Sequence, residues 1–176
     1  MISENHSYFN LSGSKKNVLN HQLKINSHYF LPVDESILPT GEIRHVKNSP
    51  FDFRELSVIG ERIHDFDQQL KIAGGYDHTW VLSKHGEEVS HAATLVDPAS
   101  GRRMEVHTSE PGMQLYTGNF IEGIGKNKKV YGPFAGLCLE TQHFPDAPNH
   151  GDFPTTELLP GERFESTTIL VFSNEL

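Results

Sequence analysis

Short runs in which apolar and polar residues alternate are the feature that most restricts how this chain folds. Met104 and Val106 alternate with polar residues within 103–108, Met113 and Leu115 do so within 113–117, and Leu137 and Leu139 repeat the pattern. A period of two places the apolar side chains on one face of a β-strand. Residues 167–172 form an uninterrupted β-branched and aromatic run, which predicts a buried strand.

Gly and Pro turns separate these runs, at residues 97–101, 110–112, 146–149 and 159–161. Regular short strands with such turns predict an all-β fold, an antiparallel β-sandwich or a related architecture. The best helical candidate is residues 61–72, whose loose apolar spacing fits a loop equally well. The 176 residues contain no linker, repeat or low-complexity segment, so residues 1–176 are expected to form one domain.

Charge and composition exclude several classes of function. The formal net charge is -8 without a local run of Lys and Arg, so binding to nucleic acid or to an anionic membrane is not expected. No apolar run approaches the ~20 residues that cross a bilayer, and the first residues lack a signal pattern. The single cysteine, Cys138, gives no sign of an oxidising compartment. These features predict a soluble, cytoplasmic protein.

The chain has 11 histidines, which raises the question of a metal site. The spacing of His85 and His91 is at the loose end of the range for paired zinc ligands, and no pair of cysteines accompanies it. A local zinc site is therefore not expected. The spacing does not exclude a metal site assembled from residues that are distant in sequence.

Four segments combine polar and aromatic residues more densely than a scaffold requires, at residues 5–13, 74–80, 112–120 and 136–149. They contain Glu140, His6, Asp77 and Gln114. Sugar hydroxyls need mixed donors and acceptors, and aromatic rings suit the apolar face of a sugar. A carboxylate and a histidine can also act as general base and general acid near neutral pH. The residues alone therefore favour a polyol site with a capacity for acid–base chemistry.

On the pattern alone, each candidate also fits a simpler role. Glu140 fits an ion-paired carboxylate, His6 a frayed terminal residue, Asp77 a turn cap, and Gln114 a solvent-facing amide.

Four further side chains of these segments are expected to be structural. Trp80, Tyr116 and Phe144 are large enough to contribute most of their surface to a core or a pocket wall, and the core is preferred. Cys138 is expected to be a small buried apolar residue rather than a nucleophile.

The amino-acid sequences of the four segments resemble the signature blocks of the aldose 1-epimerase (galactose mutarotase) family, in the same order and at similar separations. The blocks are Asn-His-Ser-Tyr-Phe-Asn-Leu-Ser-Gly at 5–13, Gly-Tyr-Asp-His at 75–78, Gln-Leu-Tyr-Thr-Gly-Asn-Phe at 114–120, and Glu-Thr-Gln-His-Phe-Pro-Asp-Ala-Pro-Asn at 140–149. The resemblance covers essentially the whole chain. It implies a β-sandwich of the galactose mutarotase type.

The resemblance also implies an activity, the interconversion of α and β anomers of free hexoses such as galactose and glucose. Glu140 would be the general base at the anomeric hydroxyl, and His6 the general acid at the ring oxygen. Asp77 and Gln114 would bind sugar hydroxyls. No metal and no organic cofactor would be needed.

Members of that family are about twice as long, so the resemblance implies that this chain carries only the C-terminal half of the domain. A sandwich divided in this way exposes strand edges and apolar faces, which invite pairing with another chain. We therefore expect self-association or a partner that supplies the other half. The alternatives are a truncated remnant that is inactive or only binds sugar, and a hexose-phosphate epimerase. The latter requires an arginine cluster, whereas Arg102 and Arg103 are the only adjacent arginines.

Overall fold

The strands of the computed structural model account for most of its regular structure; it describes residues 6–84, 86, 88–125 and 128–174. His85, one member of the closest histidine pair considered above, lies outside the described residues. In chain order the strands are β1 Gln22–Ile25, β2 Ser27–Leu31, β3 Arg44–His45, β4 Ser57–Val58, β5 Asp77–Leu82, β6 Ser90–Asp97, β7 Arg102–Thr108, β8 Gly112–Tyr116, β9 Gly123–Ile124, β10 Val130–Tyr131, β11 Cys138–Gln142 and β12 Thr168–Asn174.

Two five-stranded antiparallel sheets form the sandwich. The first has the strand order β12-β7-β6-β1-β4, and the second has the order β11-β8-β5-β2-β3. β9 and β10 form a separate small hairpin. The predicted all-β, antiparallel sandwich is confirmed.

One hydrophobic cluster receives side chains from both sheets. Leu23, Leu95 and Met104 come from the first sheet, and Trp80 and Leu115 come from the second; all five are fully buried. The alternation in residues 103–108 and 113–117 therefore marks the inward faces of β7 and β8, as predicted. Trp80 lies in the core, as expected. The outward face of the second sheet is left for polar groups.

The predicted helix is confirmed only over its second half. The α-helix α1 spans Gln68–Ala73, and the side chain of Asp67 caps its first turn by accepting hydrogen bonds from Gln69 and Leu70. It ends at Gly74, which adopts a left-handed conformation with a φ of 66°. A 3-10 helix covers Ile59–Glu61, and another covers Ala147–Asn149. No helix among the described residues is long and apolar enough to cross a membrane.

The prediction of a buried strand at residues 167–172 is wrong. β12 is the outermost strand of its sheet and pairs along its length with β7. Ile169, Val171 and Phe172 are exposed, the last by 59%. Only Leu170 of this run packs partly against the core. The run has the composition of a buried strand because such residues suit any sheet, and composition does not reveal what covers the strand.

Candidate functional site

Three neighbouring strands of the second sheet present polar side chains on their outward face. Glu140 of β11 lies opposite Gln114 of β8, which lies opposite Thr79 of β5. In the adjacent row, Asp77, Tyr116 and Cys138 are cross-strand neighbours. Cross-strand neighbours on one face lie ~4.5–5.5 Å apart at their Cβ atoms. The antiparallel register thus brings together residues from three of the four sequence segments.

Glu140 occupies the middle of β11 and is only 5% exposed. Its sequence neighbours Leu139 and Thr141 are also buried. Because Glu140 is buried in the middle of the strand, the backbone of β11 fixes the direction in which its carboxylate points.

His6 reaches Glu140 from the first described segment of the chain. Its Nε2 lies 3.4 Å from Oε1 of Glu140, and its side chain is 47% exposed. The rings of Tyr8 and Tyr116 lie beside the imidazole, with centroids 5.1 and 6.2 Å away. The two residues that were expected to serve as acid and base are therefore in contact.

The segment that carries His6 is attached to the start of β11 and to the loop before it. Phe9 and Leu137 exchange both backbone hydrogen bonds, at 2.8 and 3.0 Å. The side-chain amide of Asn10 donates to the carbonyl of Ala135 at 2.8 Å and to that of Lys16 at 2.8 Å. His6 is thus not a frayed terminal residue, because the following residues are tied to the sheet.

Asp77, Gln114 and Thr79 form a chain of hydrogen bonds on the same face. Nε2 of Gln114 donates to Oδ1 of Asp77 at 2.6 Å, and the hydroxyl of Thr79 donates to Oε1 of Gln114 at 2.5 Å. Burial raises the pKa of Asp77, while the hydrogen bond from Gln114 and the charge of His6 lower it. The carboxylate therefore has a binding partner on its own sheet rather than the turn-capping role considered above.

His78 supports this chain from the opposite, inward side of β5. Its Nδ1 accepts a hydrogen bond from the backbone N–H of Asp77 at 3.1 Å, which assigns the ring proton to Nε2. Nε2 lies 3.2 Å from Oε1 of Gln69 on α1. Burial, with a contribution from Arg44, lowers the pKa of His78 to about 3. His78 is therefore neutral in the folded protein near neutral pH.

A cleft of about 280 Å³ opens beside Glu140 and Gln114. Thr79, Gln142 and Asp146 add polar groups to its lining, and apolar residues complete it: Leu31, Val33, Ile37, Pro39 and Pro145. Thr79 and Gln142 were not predicted as site residues from the sequence. Both lie two positions from a predicted site residue in a strand, so the period of two was the signal that could have found them.

Tyr116 differs from its expected role, and Cys138 makes a contact that was not predicted. Tyr116 is only partly buried and faces His6, so it is a wall of the site rather than a core residue. Cys138 is fully buried, as expected, but its Sγ lies 3.5 Å from Nδ1 of His6. It therefore borders the site instead of filling the core.

The family model for aldose 1-epimerase matches residues 4–171. A human protein named galactose mutarotase is 44% identical over 172 residues, which cover 96% of this chain and 48% of that protein. An aldose 1-epimerase of Escherichia coli strain K12 is 36% identical over 174 residues, covering 97% of this chain and 50% of that protein.

Solved structures show the same relationship. A GalM/aldose epimerase homologue from C. elegans superimposes with a TM-score of 0.84 at 29% identity, covering 99% of this chain and 51% of that one. A galactose 1-epimerase from Lactobacillus acidophilus superimposes with a TM-score of 0.77 at 32% identity, covering 98% and 48%.

The antiparallel sandwich, with polar side chains on the outward face of one sheet, superimposes on solved aldose epimerase structures over nearly the whole chain. These matches define its fold class. The chain belongs to the aldose 1-epimerase family. It spans about half the length of the curated relatives that it matches.

Proposed function

We propose that this chain provides the acid–base site of an aldose 1-epimerase, which interconverts the α and β anomers of free hexoses such as galactose and glucose. The observation that carries the proposal is the 3.4 Å contact between Nε2 of His6 and Oε1 of Glu140, on a sheet face lined by hydrogen-bonding side chains. The anomeric hydroxyl and the ring oxygen of a pyranose are bonded to the same carbon. A base and an acid that reach both oxygens must therefore lie close together, as this pair does.

The proposed steps use only these two groups for proton transfer. Glu140 takes the proton of the hydroxyl at the anomeric carbon while His6 protonates the ring oxygen, and the bond between that oxygen and the anomeric carbon breaks. The open-chain aldehyde rotates about its first carbon–carbon bond, and the ring closes on the other face with the two roles reversed. A buried glutamate suits the base because burial disfavours its charged form and so strengthens its tendency to take up a proton.

Asp77 and Gln114 are proposed to hold the sugar while the ring is open. They already form a hydrogen-bonded pair, with Thr79 behind Gln114. A sugar hydroxyl that donates to Asp77 would share the carboxylate with Gln114, so the amide would orient the acceptor. This arrangement binds both anomers, because it contacts hydroxyls that do not change during the reaction.

The main alternative is a protein that binds sugar without turnover. A hexose-phosphate epimerase is disfavoured by the positions of the adjacent arginines. Arg102 donates to the backbone carbonyl of Leu11 at 2.7 Å, and Arg103 donates to Glu105 at 2.6 Å. Both lie on β7, which belongs to the sheet that does not carry the site.

We further propose that β12 pairs with β12 of a second copy. This strand carries no charged residue from Thr168 to Asn174, whereas natural edge strands commonly use charges to prevent such pairing. Antiparallel pairing of identical strands produces a closed dimer with two-fold symmetry. Sedimentation should give a dimer for the wild type and a monomer for Val171→Lys, whose charge lies at an exposed position in the middle of the strand. A monomeric wild type, or a dimer unaffected by the substitution, would overturn this interface.

The enzymatic proposal is tested by polarimetry of freshly dissolved α-D-galactose. We expect the protein to accelerate the approach to the equilibrium rotation, and Glu140→Gln to remove ~10²–10⁴-fold of that acceleration. Glu55→Gln is the matched control, because Glu55 is a highly exposed glutamate whose ion pair with Lys24 lies elsewhere. If the folded wild type matches buffer alone, the sugar-binding alternative stands, and galactose binding by calorimetry then tests it.

A further inference from the structure

Three potential metal ligands from two distant parts of the sequence meet at the candidate site. His6, Cys138 and Glu140 each offer one ligand atom, and these atoms lie within 4.8 Å of one another. Cys138 and Glu140 are buried, whereas His6 is exposed. Among the described residues, this is the only group of three or more His, Cys, Asp or Glu side chains that meets this geometric condition.

The distances within the group match those around a small tetrahedral cation. Zinc binds sulfur at ~2.3 Å and nitrogen or oxygen at ~2.0–2.2 Å, which places ligand atoms roughly 3.4–3.6 Å apart in a tetrahedron. Nε2 of His6 lies 3.4 Å from Glu140, and Nδ1 of His6 lies 3.5 Å from Cys138. A metal ion uses one of the two ring nitrogens, so the imidazole must turn. Because the His6 side chain is about half exposed, it has room to do so.

We infer that a zinc-class divalent cation binds to His6, Cys138 and Glu140 and inhibits the site. The donor set of one thiolate, one imidazole and one carboxylate favours zinc and disfavours magnesium and calcium, which prefer oxygen ligands. On binding, Cys138 releases its proton to solvent, and the two anionic ligands balance the charge of the cation. The fourth tetrahedral position is left to water.

The inhibition follows from the identity of the ligands and rests on the proposed function, whereas the binding does not. A cation bonded to Glu140 and His6 occupies the oxygen and nitrogen lone pairs that would otherwise hold the transferred protons. Cys138 has no role in the proposed reaction, so its contribution distinguishes the metal site from the acid–base pair. Sugar and metal are expected to compete, because both use the outward side of Glu140.

Cobalt spectroscopy tests the binding directly, using protein without a histidine-containing purification tag. Co²⁺ bound through a thiolate gives a sulfur-to-metal charge-transfer absorption in the near ultraviolet. We expect this band in the wild type, its loss in Cys138→Ser, and its displacement by one equivalent of Zn²⁺. Competition with a chromophoric chelator should show zinc affinity falling by at least ~10-fold in Cys138→Ser and in His6→Gln, since even the loss of an outer-shell partner costs ~10–100-fold.

The matched control is His107→Gln. His107 lies near another histidine, His91, with ring centroids 5.3 Å apart, and its Nε2 is 3.9 Å from Glu105. This surface group offers no sulfur, so its substitution should leave the charge-transfer band unchanged. A wild type without the band, or a band that persists in Cys138→Ser, would overturn the proposed site. His6→Gln changes a half-exposed side chain and keeps the test valid if Cys138→Ser does not fold.

Polarimetry then tests the inhibition. Within each folded variant that turns over, the rate with micromolar Zn²⁺ is divided by the rate with a chelator. The ratio should fall well below one for the wild type and stay near one for Cys138→Ser. If the wild type has no activity, the enzymatic proposal fails while the spectroscopic result still decides the metal site. If zinc leaves the wild-type rate unchanged although the band is present, the inhibitory role is wrong.

Discussion

The two members of the proposed acid–base pair are held by very different parts of the molecule. Glu140 lies in the middle of a buried strand, with β8 hydrogen-bonded beside it. His6 lies at the start of the described chain and is attached through Phe9 and Asn10. The position of the base is therefore set by the core, whereas the position of the acid depends on a few hydrogen bonds of one segment.

The largest effect is expected when the acid itself is removed. His6→Gln should lower the rate of anomerisation by ~10²–10⁴-fold, because it removes the proposed proton donor to the ring oxygen. Affinity for the sugar and the melting temperature should change little, since the side chain is half exposed. Polarimetry and calorimetry check these values, with His107→Gln as the control. A large loss of stability in His6→Gln would show that the segment contributes to the fold and not only to the site.

A cavity beneath the base tests how firmly the core holds it. Leu115→Ala removes a fully buried side chain from the inward face of β8 and should lower the free energy of unfolding by ~2–5 kcal/mol. Urea denaturation measures this change. Leu23→Ala, in the opposite sheet, is the matched control and should cost a similar amount. We expect turnover per folded molecule to survive both changes, and its selective loss in Leu115→Ala would mean that the base is less firmly held than the fold implies.

Low pH should lower the free energy of unfolding through His78, the neighbour of Asp77 on β5. An unfolded histidine has a pKa of about 6.5, whereas that of folded His78 is about 3, so the unfolded chain binds more protons between these values. The free energy of unfolding therefore falls as the pH drops through this window. At about 1.36 kcal/mol per pH unit, lowering the pH from 6.5 to 4 should cost about 3 kcal/mol.

His78→Asn tests this assignment because its side-chain oxygen can replace Nδ1 as the acceptor for the N–H of Asp77. The difference in unfolding free energy between wild type and variant should change with pH between 6.5 and 4. A constant difference over that range would show that His78 is not the group responsible. Chemical denaturation at several pH values provides the measurement.

The smallest effect is expected from loosening the segment that carries the acid. Asn10→Ala removes the hydrogen bonds to Ala135 and Lys16 and should cost about 1 kcal/mol of stability. Because His6 would then contact Glu140 for a smaller fraction of the time, kcat should fall severalfold while KM stays nearly constant. Asn26→Ala is the control and should leave kcat unchanged. It removes two longer side-chain hydrogen bonds, to the carbonyls of Ser83 and His91 at 3.5 and 3.3 Å, which lie away from His6.

The inward faces of the strands could be predicted from the sequence because they follow a local rule. Met113 and Leu115 alternate with Gln114 and Tyr116, and burial follows that alternation. The run at 167–172 could not be placed, because local composition does not say whether a strand is central or at an edge. Tyr116 was assigned to the core because of its size, although its place in the alternation puts it on the same face as Gln114.

The candidate site depended on long-range pairing. Nothing local links His6 to Glu140, and only the resemblance to a family predicted their proximity. The contact between His78 and Gln69 joins a strand to a short helix, and no spacing rule predicts it. The sequence singled out four segments with one candidate residue in each, while the register of β5, β8 and β11 determines how three of them meet.

The pairing of Phe9 with Leu137 has a second consequence, which concerns solubility. β11 is the last strand of its sheet, and the segment of residues 6–10 covers its outer side at this point. Detachment of that segment removes the acid and uncovers unpaired backbone groups in one event. The proposed acid–base pair and resistance to aggregation therefore depend on the same two hydrogen bonds, so conditions that free this segment will also promote precipitation of the protein.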